Sequence, residues 1–191
     1  MVYKVIIFIP VVLAPAITAP VFRQIFAPDG QFNALLEFFG LGFLAQPWLG
    51  QDSTALAAVM VPAIWLRVGF PMLLYLAALQ GINTDMYEAA TVDGATKSQQ
   101  FWHITMPSLK PAHYIVIALS LIDSFKVFDL IYVMTYGGPG TATQVMGTWM
   151  YFNVFQYYQA GYGTAIAVVV TVIAIVVGIP YVISQTREHS S

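Results

Sequence analysis

Residues 83–111 read NTDMYEAATVDGATKSQQFWHITMPSLKP, the one polar run of any length in a chain otherwise built of apolar segments. Asp85 followed three residues later by Glu88 is a capping-box pattern. It predicts a short helix from Met86 to Gly94, where a residue without a Cβ can enter the left-handed conformation that closes helices. Thr96 and Gln99 repeat the pattern and predict a second helix, with Phe101, Trp102 and Ile104 on its apolar side and Pro107 and Pro111 as its stop. Two capped helices joined at a glycine make an elbow. So small a unit cannot bury Tyr87, Phe101, Trp102 and Ile104 against itself, so these side chains are expected to face a partner surface.

Around the elbow the composition is that of a membrane protein: 59% of residues are hydrophobic, 8% are charged and the mean hydropathy is +0.74. A formal net charge of −2, with seven scattered Lys and Arg, leaves no basic field for nucleic acid. The absence of cysteine excludes disulfides, zinc-thiolate sites and cysteine nucleophiles.

Four membrane spans are expected, at about residues 5–26, 54–80, 112–135 and 161–184. Val5 to Phe22 holds no charge over eighteen residues and should be kinked by Pro10, Pro15 and Pro20. Lys4, the apolar run and Ala14-Pro15-Ala16 also fit a signal peptide, but the stretch stays apolar past that cleavage site. The segments 27–53 and 136–160 read as outer loops. The first carries a short interfacial helix within Phe32 to Phe43, and the second is rich in belt aromatics from Trp149 to Tyr158. Lys4, Lys97, Lys110 and Arg187 fall on one side, against Asp29, Glu37 and Asp52 on the other, with Arg23 at their edge. Loop 83–111 and the C-terminus are therefore expected to be cytoplasmic.

Glu88-Ala89-Ala90, then Asp93-Gly94-Ala95, then Phe101, Ile104, Pro107 and Pro111 resemble the EAA loop of the permease subunits of bacterial binding-protein-dependent ABC importers. Leu79-Gln80-Gly81-Ile82, Phe128-Asp129-Leu130-Ile131 and Thr135-Tyr136-Gly137-Gly138-Pro139 extend the resemblance to the carbohydrate, maltose-type permeases over nearly the whole chain. It implies an all-α polytopic membrane helix bundle of the type I importer kind, one permease domain over residues 1–191, with EAA coupling helices that dock on an ATPase. It also implies a transmembrane sugar-importer subunit of the bacterial inner membrane. The expected partners are ABC ATPase subunits, a second permease, an extracytoplasmic sugar-binding protein and membrane lipid, with ATP and Mg held by the partner subunits. By residue, Glu88 is implied for a charged ATPase contact, Gly94 for close approach and the turn, and Phe101 and Ile104 for the partner's cleft, alongside Ala89, Ala90, Asp93 and Pro107. The proline-rich start resembles the family's third span, so two N-terminal spans are expected to be missing.

No catalytic, cofactor or metal site is expected in the chain itself. Gly94 to Ser98 shares the end of a phosphate-binding loop, but Thr91 and Thr96 stand where that motif needs glycine. His103 and His113 lie ten residues apart across two prolines, with no carboxylate at ligand spacing.

Asp123, Lys126 and Asp129 are spaced to neighbour each other on one helix, with Asp123 roughly 16 Å into a hydrocarbon core about 30 Å thick. Burial there costs at least ~2.5 kcal/mol each unless the groups are paired or hydrated. They either line a translocation path, with Arg67 and Tyr132, or form an ion-pair cluster that orients helices, with Arg67 as the balancing cation. Leu130 to Thr186 holds no Asp, Glu, Lys or Arg, which suits a neutral polyhydroxylated ligand and equally suits plain interface anchoring. Other readings are an importer for another small solute, a passive channel or scaffold, or an intramembrane aspartyl enzyme, which Lys126 between the two acids disfavours.

Overall fold

The computed structural model describes the backbone of residues 2–188 and the side chains of residues 2–176, so Arg187 as a side chain and His189 lie outside the described residues. Among these residues all regular structure is helical. No single described helix is both long and apolar enough to cross a membrane, although two bent pairs meet that test together.

The first pair is α1 (Val2–Phe8), continued by a 3₁₀ turn at Ile9–Val12, and α2 (Pro15–Ile25), set at 102°. Where one span kinked by prolines is expected over 5–26, the helix breaks outright between Val12 and Pro15. Leu13 and Ala14 are extended, as a residue ahead of Pro15 must be, and the chain turns there, whereas α2 continues through Pro20. After the short α3 (Gln31–Phe38), the second pair is α4 (Asp52–Arg67) and α5 (Gly69–Gln80), bent by 41°. A Cβ at Gly69 would sit 2.7 Å from the Ile7 carbonyl, so glycine lets the N-terminal backbone cross at the break.

The elbow comprises α6 (Thr84–Val92), α7 (Lys97–Gln100), a π turn (Phe101–Thr105) and α8 (Met106–Ser108). The third expected span is interrupted: α9 (Lys110–Phe125) ends, and α10 (Asp129–Met134) starts after three non-helical residues. Asp123, Lys126 and Asp129 therefore do not share one continuous helix. The break redirects α10 so that Leu130, Ile131 and Met134 join Ala19, Phe26, Ala58, Val59 and Leu66 in the buried core between α2 and α4. That burial outweighs the helical continuity lost. Within residues 136–160 the aromatics form a helix, α11 (Met146–Phe155), against α12 (Ala160–Glu188).

α3 gives the segment 27–53 the short helix expected there. Asn33 holds its surroundings, donating to the Pro28 and Gln46 carbonyls at 3.0 Å each and accepting from Trp48 Nε1 at 2.7 Å.

Candidate functional site

The elbow starts two residues earlier than the first capping box implies. Asn83, not Asp85, is the N-cap: its Oδ1 accepts from the Asp85 N–H at 2.9 Å, and Asp85 falls in the first turn of α6. Glu88 is thereby released from capping and stands exposed, as does Ala89. α6 closes in a Schellman turn, with the Gly94 N–H on Thr91 O at 3.1 Å and the Ala95 N–H on Ala90 O at 2.9 Å. Gly94 has φ +80°, while an added Cβ would meet nothing within 4 Å. Within the chain the demand for glycine is thus one of backbone conformation.

The second box forms as expected: the Thr96 N–H donates to Gln99 Oε1 at 2.8 Å and the Gln99 N–H to Thr96 Oγ1 at 3.3 Å. Pro107, however, does not stop the helix. Phe101–Thr105 widens into a π turn in which the Met106 N–H reaches Phe101 O. The wider turn lies where the Pro107 ring would otherwise press on the His103 carbonyl, four residues back, and Pro111 falls in the first turn of α9, where its missing N–H is harmless.

Two side-chain bridges lock the arms of the elbow together. Tyr87 Oη meets Thr105 Oγ1 at 2.8 Å, and the Gln100 amide, only 3% exposed, donates to Thr91 Oγ1 at 2.8 Å. Gln100 also accepts from Lys97 Nζ at 3.3 Å. Tyr87 is thus half-buried and engaged within the elbow rather than offered to a partner. Reasoning from sequence missed Gln100, Thr91 and Thr105, and no local pattern marks them. Ala90, Asp93, Gly94 and Ile104 line a cavity of about 380 Å³ in the crook. Phe101 and Trp102 remain 44% and 61% exposed with their rings edge to face at 5.2 Å, Val92 is 88% exposed, and Pro107 is exposed beside them.

A second cavity, of about 500 Å³, gathers Arg67, Asp123, Lys126 and Asp129 with Phe70 and Phe128. Each charged residue stands at or near a helix end. Arg67 closes α4 and Asp129 opens α10, the ends at which helix dipoles favour a cation and an anion respectively, and Lys126 caps α9 through its N–H to Asp123 O at 3.1 Å. All four are exposed to this space. Tyr132 does not line it, and belongs instead to a row of aromatic rings that starts at Phe128. Of the neutral groups between Leu130 and Thr186, Thr135 is engaged with Ile131 O and Thr143, and Asn153, 3% exposed, donates to Trp149 O.

The model of the family described as "Binding-protein-dependent transport system inner membrane component" matches residues 1–188. The chain belongs to this family. Within the binding-protein-dependent transport family it is 40% identical over 174 residues to "Probable ABC transporter permease protein YurN" of Bacillus subtilis (strain 168), covering 91% of this chain and 60% of that one. It is 36% identical over 181 residues to "Trehalose/maltose transport system permease protein MalF" of Thermococcus litoralis, covering 94% and 60%. A crystal structure of a bacterial alginate ABC transporter, in complex with an alginate pentasaccharide-bound periplasmic protein, superposes with a TM-score of 0.82 at 27% identity, covering 94% of this chain and 62% of that one. The all-α bundle is that of a type I ABC importer permease. The chain spans 60% of the length of the two relatives named.

Proposed function

We propose that the chain is a transmembrane subunit of an ATP-driven sugar importer in a bacterial cytoplasmic membrane, with the elbow and the C-terminus on the cytoplasmic side. The observation that carries this reading is the elbow itself: its polar groups are closed onto one another while Phe101, Trp102 and Val92 stay exposed. A rigid unit with an apolar rim suits docking into a cleft of a separate ATPase subunit that binds ATP and Mg, with Glu88 as the charged contact. Closure of that subunit then moves the elbow as one lever, and α5 and α9, which pack together at its two ends, carry the motion to the cavity of Arg67, Asp123, Lys126 and Asp129.

The sugar assignment draws on the names of the Thermococcus relative and the alginate transporter, and on the charge-free composition of residues 130–186. A second permease and an external sugar-binding protein complete the assembly. The exposure of the four charged side chains to one cavity favours their lying on the solute path.

The test is co-expression with candidate ATPase and binding-protein partners, then reconstitution in proteoliposomes. The ATPase should copurify, and its activity should rise with maltose, trehalose or alginate oligosaccharide presented by the binding protein. Sugar flux without ATP, and no copurifying ATPase, would instead identify a passive channel.

A further inference from the structure

We propose that the aromatic rings of α10 and α11 form a stacking track along which the rings of an oligosaccharide pass between the outer side and the charged cavity, an inference that rests on the sugar-import reading above. Phe128 and Asp129 both line that cavity, so the row begins at its wall. From there Tyr132 lies 5.0 Å from Phe128 with the two planes only 19° apart, and Tyr136 lies 5.0 Å from Tyr132. α11 supplies a second row: Tyr151 is 5.3 Å from both Phe128 and Tyr132, and Phe155 is 5.0 Å from Tyr151.

Exposure rises along the two rows. Only Phe152 is buried, at 4% exposure, and it backs Tyr136 at 4.7 Å. Phe128, Tyr132 and Tyr151 are half-buried, and the far members, Tyr136 and Phe155, are 48% and 63% exposed. Apolar rings at the rim of a closed core would be covered. Here they open progressively away from the cavity.

Tyr136 also holds a left-handed backbone with φ 57°, an uncommon state for a bulky residue, while the Gln156 amide donates to its hydroxyl. That backbone closes α10, with the Tyr136 N–H on the Ile131 carbonyl at 2.9 Å, and so sets the ring at the end of the row.

The chemistry fits a sliding sugar. Pyranose C–H faces stack on aromatic rings, and the hydroxyls of Tyr132, Tyr136 and Tyr151 can exchange hydrogen bonds with sugar hydroxyls. No charged side chain between Leu130 and Thr186 would pin the ligand in place. Two ring-to-ring steps of 5.0 Å each, from Phe128 through Tyr132 to Tyr136, make a track longer than one sugar ring, so it engages more than one unit at once and its contribution grows with chain length.

The experiment uses the reconstituted complete transporter and reads ATPase stimulation against concentration for maltose, maltotriose and alginate trisaccharide. Tyr136→Leu keeps apolar volume and removes the ring, and Tyr136→Phe keeps the ring and removes the hydroxyl. Phe155→Leu alters a 63% exposed position outside the buried core, and its melting temperature separates a binding effect from a folding one. The two Leu variants are expected to raise the half-saturating concentration about two- to tenfold, more for a trisaccharide than for maltose, with maximal rate and melting temperature retained. Tyr136→Phe should stay within about twofold of the parent.

Equal effects of Phe and Leu at position 136 would assign the role to the hydroxyl and overturn stacking. Unchanged Leu variants, or a uniform loss that follows melting temperature, would overturn the track while leaving sugar import standing. A parent transporter that responds to none of the three sugars removes the sugar reading and the track with it.

Discussion

The elbow draws its polar side chains from one stretch, residues 83–105, and satisfies most of them internally, whereas the charged cavity takes Arg67 from α4 and Asp123, Lys126 and Asp129 from either side of the α9–α10 break and leaves all four exposed. The first is made to move as one piece. The second lies at the joints between pieces, where a small rotation of α4 or α10 alters its shape without breaking a buried hydrogen bond. On the proposed coupling role, transmission and reception of force would use different materials: a closed hydrogen-bond set in the lever, and interrupted helices in the part that yields.

The largest expected effect comes from breaking the lever at its turn. Gly94→Val places a β-branched residue at φ +80° and should reduce sugar-stimulated ATPase turnover in proteoliposomes tenfold or more, with membrane insertion intact. Because a Cβ there meets nothing, Gly94→Asn should keep most of the activity. Parent-level turnover in the Val variant would remove the elbow from its role.

An intermediate effect is expected at the joints. Lys126→Met alters an exposed capping residue, so melting temperature should move by less than about 2 °C while the half-saturating sugar concentration shifts several-fold. Should the melting temperature fall sharply and recover when Asp123→Asn and Asp129→Asn are added, the charges orient helices rather than meet solute, and the contrast between the two regions weakens.

The smallest effect is expected from Tyr87→Phe. Removing one of the two bridges across the elbow should cost about 1 kcal/mol locally, read as faster hydrogen exchange in the α6 amides with only a modest loss of coupling. Unchanged exchange would show that the Gln100 bridge suffices.

The same division governs what could be read from the residues alone. Thr96 with Gln99, and Gly94 after α6, act within four positions of themselves, and both formed as their spacing implies. Asn83 and Asp85 are both cap-forming residues two positions apart, and the bond from the Asp85 N–H to Asn83 Oδ1 makes the earlier one the cap. Pro107 was misread because a stop and a widened turn answer the same steric conflict.

The α9–α10 break had no local marker. Spacings of three between charges suit an uninterrupted helix equally well, and the interruption follows from burying Leu130, Ile131 and Met134 against α2 and α4, more than a hundred residues earlier in the chain for Ala19 and Phe26. The polar run and its two capping patterns located the elbow, and the family resemblance supplied the architecture of the bundle. The bridges at Tyr87 and Gln100 join residues 18 and 9 positions apart, a pairing that depends on the angle between the arms.

The π turn at Phe101–Thr105 sets a phase as well as relieving a clash. Each residue of a regular helix advances about 100° around the axis, so one surplus residue held within a turn offsets everything before it from everything after it by about that angle. The azimuth of Phe101 and Trp102 is thereby uncoupled from that of α9, and each face can be aimed on its own. Deleting one residue there would leave composition, hydropathy and capping signals intact and yet swing the aromatic pair away from whatever it meets, since what the elbow presents is specified by an angle as much as by a set of side chains.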